Sequence, residues 1–183
     1  MLEGAYSELI AMPCKRYTMP LGILALNPPT FKAYKGTGLS RILEESPTQL
    51  YLLAPRDPSL YWLSIEHKLE DLIEWTPCPK PDPGMGAWYR CTPEKAEDRD
   101  EYTLYKCTGL EHLAGSPPPY SRAHGCLVEL MILYTKLRAG VKLGDPKCYA
   151  RWLEWCVTRA APGREDLASL ASKLRNLIEG LTS

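Results

Sequence analysis

This sequence is nearly without phenylalanine and nearly without carboxamides. One Phe stands beside eleven Tyr and five Trp, and only Asn27, Gln49 and Asn176 carry a side-chain amide. The first scarcity leaves almost every ring with a polar edge, which suits rims and grooves better than a wholly apolar core. The second, with 17 prolines set mostly in apparent loops, fits a chain selected against heat, a hyperthermophile composition. No run of about 18 apolar residues occurs, and Met1-Leu2-Glu3-Gly4 carries an acid where a signal peptide has a basic region. A cytoplasmic protein is therefore expected.

The seven cysteines, Cys14, Cys78, Cys91, Cys107, Cys126, Cys148 and Cys156, contain no Cys-x2–4-Cys pair, which disfavours zinc ribbons and fingers. An iron-sulfur cluster on Cys78, Cys91, Cys107 and Cys126 has no support from spacing. Buried thiols, with one or two disulfides, are the expectation. Enzyme signatures are missing as well: there is no Walker lysine loop, no G-x-G-x-x-G, no G-x-S-x-G and no H-E-x-x-H. His67, His112 and His124 stand isolated. No enzyme, no cofactor and no metal are expected.

Net charge is zero, with 22 basic and 22 acidic residues, but it is unevenly spread. Residues 1–65 sum to +1, 66–119 to −5 and 120–183 to +4. A neutral protein can still offer an anion one face.

What the chain does have is rings beside cations: Lys15-Arg16-Tyr17, Lys32-Ala33-Tyr34-Lys35, Trp88-Tyr89-Arg90 and Tyr105-Lys106. A groove for single-stranded nucleic acid needs flat faces for bases and cations along the phosphates. Rings in a strand that fill a core and put a polar tip at its rim give the same pattern.

Along the chain, 2–12 reads as a short helix ended by Pro13, and 17–26 as a strand with Pro20 at its edge. Asn27-Pro28-Pro29 turns the chain. Gly36-Thr37-Gly38 feeds a short helix over 39–45, and 49–54 and 59–65 read as strands. Leu69, Leu72 and Ile73 sit at helical spacing in 66–75. Residues 76–86 hold four prolines and two glycines and read as a loop. Strands at 87–92 and 101–108 flank an acidic connector, 94–101.

Ser116-Pro117-Pro118-Pro119 marks the boundary between a sheet-rich, nucleic-acid-binding part, 1–119, and a helical part, 120–183. Residues 121–139 form an apolar helix. Asp145-Pro146 starts a second helix, whose outer face carries Lys147, Arg151, Trp155 and Arg159 at intervals of four, a basic stripe with one ring. The last helix, 165–181, carries a leucine seam of Leu167, Leu170, Leu174, Leu177 and Leu181, and a homodimer or homotetramer is expected from it. The fold class is α+β: a small antiparallel sheet of four to five strands with a C-terminal group of three helices, not an OB-fold.

With Tyr61-Trp62, Trp88-Tyr89-Arg90, Tyr105-Lys106 and the Leu167–Leu181 seam, this organisation resembles the Thermo-DBP-related single-stranded DNA-binding proteins of hyperthermophilic archaea. The resemblance implies a cleft or intersubunit tunnel that grips single-stranded DNA, or RNA, by stacking with little base preference. The expected contacts are Lys32, Tyr34, Tyr61, Trp62, Trp88, Tyr89, Arg90, Tyr105, Lys106, Lys147, Arg151, Trp155 and Arg159. A second reading starts from Leu133–Gly144, which resembles the helix-to-strand passage of archaeal tRNA-splicing endonuclease subunits. No histidine follows it, so a noncatalytic structural subunit is implied. A protein-interaction adaptor is the third reading.

Overall fold

The computed structural model describes residues 8–45, 49–116 and 121–182. Two compact units divide the chain, Met1–Pro118 and Pro119–Ser183.

The first unit is a closed barrel. Its strands are β1 (Glu8–Pro13), β2 (Met19–Leu26), β3 (Pro29–Tyr34), β4 (Leu50–Pro55), β5 (Gly86–Asp98) and β6 (Tyr102–Ala114), with α1 (Gly38–Glu45) and α2 (Ser59–Ile65) inserted on either side of β4. The order around the barrel is β1-β2-β3-β6-β5-β4, and β4 closes on β1. Every pairing is antiparallel. This corrects the expected small antiparallel sheet of four to five strands: six strands close into a barrel, and closure leaves no edge to protect.

The period-2 alternation decides which side chains fill the barrel. Leu9 and Ala11 of β1, Phe31 and Ala33 of β3, Leu50 and Leu52 of β4, and Tyr89 and Cys91 of β5 point inward with Tyr105 and Cys107 of β6, and Leu39 of α1 joins them. The ring of Phe31 stacks on that of Tyr105 with centroids 5.6 Å apart. The opposite faces of β1, β4 and β5 are covered too, since Ile10, Leu53 and Trp88 have no exposed surface.

Strand β1 lies where a helix was expected over 2–12; residues 2–7 of that span are outside the described residues. The segment Leu9–Pro13 is buried on both faces between β2 and β4, so its apolar run carries no alternation that would mark a strand. Residues 59–65, expected as a strand, form α2. The Asp57 carboxylate accepts the Ser59 N–H at 2.9 Å, and Pro58 stands at the N-cap of this helix. Of the helix expected over 66–75, only a 3₁₀ turn, Leu69–Asp71, forms. The acidic stretch 94–101, read as a connector, lies mostly within the β5–β6 hairpin, where Glu94 pairs with Lys106 and Asp98 with Thr103.

The second unit holds α3 (Arg122–Arg138), α4 (Pro146–Ala160) and α5 (Glu165–Leu181). The Ser121 hydroxyl accepts the His124 N–H, and the Asp145 carboxylate accepts the Cys148 N–H at 3.0 Å, so α3 and α4 both begin with a side-chain cap. On α5 the buried line is Leu167, Ala171, Leu174 and Ile178. Leu170 and Leu177 are half-buried at its flank, and Leu181 is exposed.

Three disulfides join Cys14 to Cys78, Cys91 to Cys107 and Cys126 to Cys156, and Cys148 is free and exposed. The four thiols considered for an iron-sulfur cluster are all engaged in them. No helix among the described residues is long and apolar enough to cross a membrane.

Candidate functional site

The rings and cations expected to grip a nucleic acid do not form a groove. Trp88 is fully buried and its indole N–H donates to the Asp82 carbonyl at 2.7 Å. Tyr61 and Trp62 are buried on α2, where the Tyr61 hydroxyl donates to the Glu8 carbonyl at 2.6 Å. Tyr89 and Tyr105 point into the barrel. Arg90 is held by Glu111, and Lys32 sits 4.1 Å above the ring of Tyr102, against which Tyr34 packs edge-on. Lys106 is exposed on β6. In the helical unit Arg151 pairs with Glu179 at 2.9 Å, Arg159 covers the ring of Trp155, and Lys147 is half-buried. Stacking needs free ring faces, and most of these faces are in a core or under a cation.

The barrel instead brings together three segments that the sequence keeps apart: the β1–β2 connection, the turn before α1, and the turn after α2. Tyr17 is the hinge between them. Its ring occupies the space beside Gly38, where a Cβ would lie 2.7 Å from the ring carbons. Its hydroxyl donates to the Met19 sulfur at 3.8 Å and lies near the Leu39 amide in the first turn of α1. Burial, then the nearby Glu70 carboxylate, push the Tyr17 pKa up, against the smaller opposing pull of the Leu39 hydrogen bond and of Arg41. Tyr17 therefore stays a neutral phenol at physiological pH.

Behind Tyr17, the buried Glu70 carboxylate accepts the Thr18 N–H at 2.8 Å through Oε1. His67, at φ 55°, brings its ring within 3.5 Å of the same oxygen and 5.9 Å, centroid to centroid, from Tyr17. The second oxygen, Glu70 Oε2, is buried without a hydrogen-bond partner among the described residues, as is the hydroxyl of Thr18. Polar atoms left so are uncommon in folded proteins and point to function or to a bound water.

In front of Tyr17 lies the α1 turn. Gly36 has φ +83°, and a Cβ there would meet nothing within 4 Å, so this stretch of backbone is open. The Thr37 hydroxyl donates to the Tyr34 carbonyl at 2.7 Å and receives the Ser40 N–H, capping the helix. Lys35 reaches Asp98 at 3.0 Å. Arg41, one turn into α1, is exposed and makes no ion pair among the described residues. The Thr37, Ser40 and Arg41 amides are engaged on the Tyr34 carbonyl, the Thr37 hydroxyl and the Thr37 carbonyl, so what the turn offers a phosphate is the glycine-opened backbone at the helix start and two exposed cations. Spacing alone showed the Gly36-Thr37-Gly38 turn but not Tyr17, Thr18 or Glu70, which closure of the barrel brings beside it.

No protein-family model and no curated protein matches this sequence. Among solved structures, the crystal structure of an FMN-bound protein from Methanosarcina mazei, of the family model DUF447, superposes with a TM-score of 0.71 at 15% identity. The likeness covers 95% of this chain and 93% of that one. The NADH:FAD oxidoreductase SgcE6 of Streptomyces globisporus C-1027 and the flavin reductase HpaC complexed with NADP+ each reach only 0.44. Identities are 11% and 14%, over 58% and 63% of this chain and 71% and 81% of theirs. The first likeness shows a shared fold. Together with the buried rings it overturns the reading as a hyperthermophile single-stranded DNA-binding protein with a DNA partner.

Proposed function

We propose that this protein binds flavin mononucleotide and that the turn before α1 holds its phosphate. The observation that carries the reading is the barrel, shared nearly end to end with an FMN-bound protein. The local chemistry supports it. A phosphate dianion at Gly36–Gly38 would meet the glycine backbone and the positive end of the α1 dipole, with Arg41 as a flanking cation and Lys35 as a second one that exchanges Asp98 for the phosphate. Gly36 adopts φ +83°, a conformation that favours glycine, and its surroundings are open to a close approach.

The buried groups give the turn its rigidity. Tyr17 fills the space beside Gly38, so its ring supports the turn. Glu70 fixes the backbone at Thr18, next to Tyr17, across 52 residues of chain. A bound flavin supplies hydride and electron transfer, chemistry that no side chain of this protein performs. The reading thus includes an oxidoreductase activity, in place of the expected binder without catalysis.

Isothermal titration with FMN and with riboflavin tests it. Each charge-assisted hydrogen bond adds about 1.5–3 kcal/mol, so FMN should bind at least about tenfold more tightly than riboflavin. Arg41→Ala should weaken FMN and leave riboflavin unchanged. No FMN binding, or equal affinity for both, contradicts the proposal.

A further inference from the structure

The helical unit carries a cavity of about 290 Å³ between α3 and the start of α4. Its body is apolar, formed by Ile132 and Leu133 of α3, Leu143 of the connection, and Tyr149 of α4. The Tyr149 ring stacks on Trp152 at 9° between planes and 6.1 Å between centroids, so this wall is flat and braced from behind. Glu129 and Lys136 also line the cavity. They stand seven residues apart on one face of α3, about 10 Å along the axis at 1.5 Å per residue. Neither has a hydrogen-bond or ion-pair partner among the described residues. The third charge, Asp145, is engaged in capping α4 through the Cys148 N–H.

A hollow with an apolar middle and an uncompensated charge of opposite sign toward each end selects by charge pattern. Glu129 and Lys136 are both solvent-exposed, so a simple anion is repelled at Glu129, a simple cation at Lys136, and a zwitterion alone meets a complementary charge at each end. We propose that this cavity binds a small zwitterion: an ammonium directed to Glu129, a carboxylate directed to Lys136, and a short apolar or aromatic body against Tyr149. A free dipeptide has this chemistry and this length. The inference does not depend on the flavin reading, because every residue it uses belongs to α3, α4 and their connection.

Saturation-transfer NMR and calorimetry with glycyl-phenylalanine, its N-acetyl form and its C-amide test the inference on the full chain. The free dipeptide should bind at millimolar concentration, and each cap should weaken binding by about two- to fivefold, the worth of one exposed ion pair. Glu129→Gln should abolish the difference between free and acetylated peptide, and Lys136→Met the difference between free and amidated peptide. The exchanged pair E129K with K136E should bind the free dipeptide again, whereas K136E alone should not, which separates charge recognition from loss of fold. Equal binding of free and capped peptides, or no transfer from the free dipeptide at millimolar concentration, overturns the proposal.

Discussion

The ring of Tyr17 stands where a side chain on residue 38 would begin: a Cβ at Gly38 would lie 2.7 Å from its carbons and 2.8 Å from its hydroxyl oxygen. Gly38→Ala must therefore displace either the ring or the first turn of α1, and overpacking of this kind costs about 1–3 kcal/mol. Denaturant unfolding should show that loss. In the protein that remains folded, FMN affinity should fall more than riboflavin affinity, because the displaced element is the phosphate turn.

Trp88 tests where the rings belong. It has no exposed surface, so Trp88→Ala should cost about 3–5 kcal/mol of stability. Fluorescence or circular dichroism would detect this as a lowered midpoint, with no specific effect on any oligonucleotide. Trp155, at 59% exposure, should tolerate the same change with an unfolding midpoint close to that of the parent.

The Cys14–Cys78 bond closes a 64-residue separation. Loop-closure entropy for a loop of that size corresponds to about 4 kcal/mol. Cys14→Ser with Cys78→Ser should lower the thermal midpoint accordingly, and reductant, which also opens the bonds with separations of 16 and 30, should lower it further. An unchanged midpoint would show that the unfolded chain is already restrained by other means.

Acid should loosen the hairpin and the start of α5. Bonds to Lys95 and then Lys35 hold the Asp98 pKa far below the usual carboxylate range, and bonding to Arg164 lowers Asp166 to about 2. A depressed folded-state pKa stabilises the fold above the unfolded value near 4, and that contribution disappears as pH falls through the folded value. Both groups are exposed, so the effect is modest and salt-sensitive. Asp98→Asn should flatten the stability profile between about pH 4 and pH 2, with its modest cost fully present at neutral pH and vanishing in acid.

The helical unit was largely legible because its signals are local. Asp145-Pro146 places a cap, and Leu167 to Leu181 place a face. That face differs in rotation from the sequence reading: the buried line of Ala171 and Ile178 alternates with Leu167 and Leu174, and Leu181 is left outside. The barrel was much less legible. β1 is buried on both sides and shows no alternation, and β3 opens on Pro29 beside a proline turn. α2 carries β-forming residues, which the Asp57-Pro58 start overrides. Of the proposed phosphate turn, the glycines were visible in sequence. Tyr17 and Glu70 act there only through contacts across the closed barrel, and no spacing rule reaches over 52 residues.

The central claim is flavin mononucleotide on the α1 turn, and amide NMR of the isotope-labelled protein titrated with FMN addresses it most directly. The account predicts saturable shifts of the Gly36, Thr37 and Gly38 amides, with a matching change in the FMN phosphorus resonance and none of these shifts with riboflavin. FMN that leaves those three amides unmoved, or that does not bind, would contradict it.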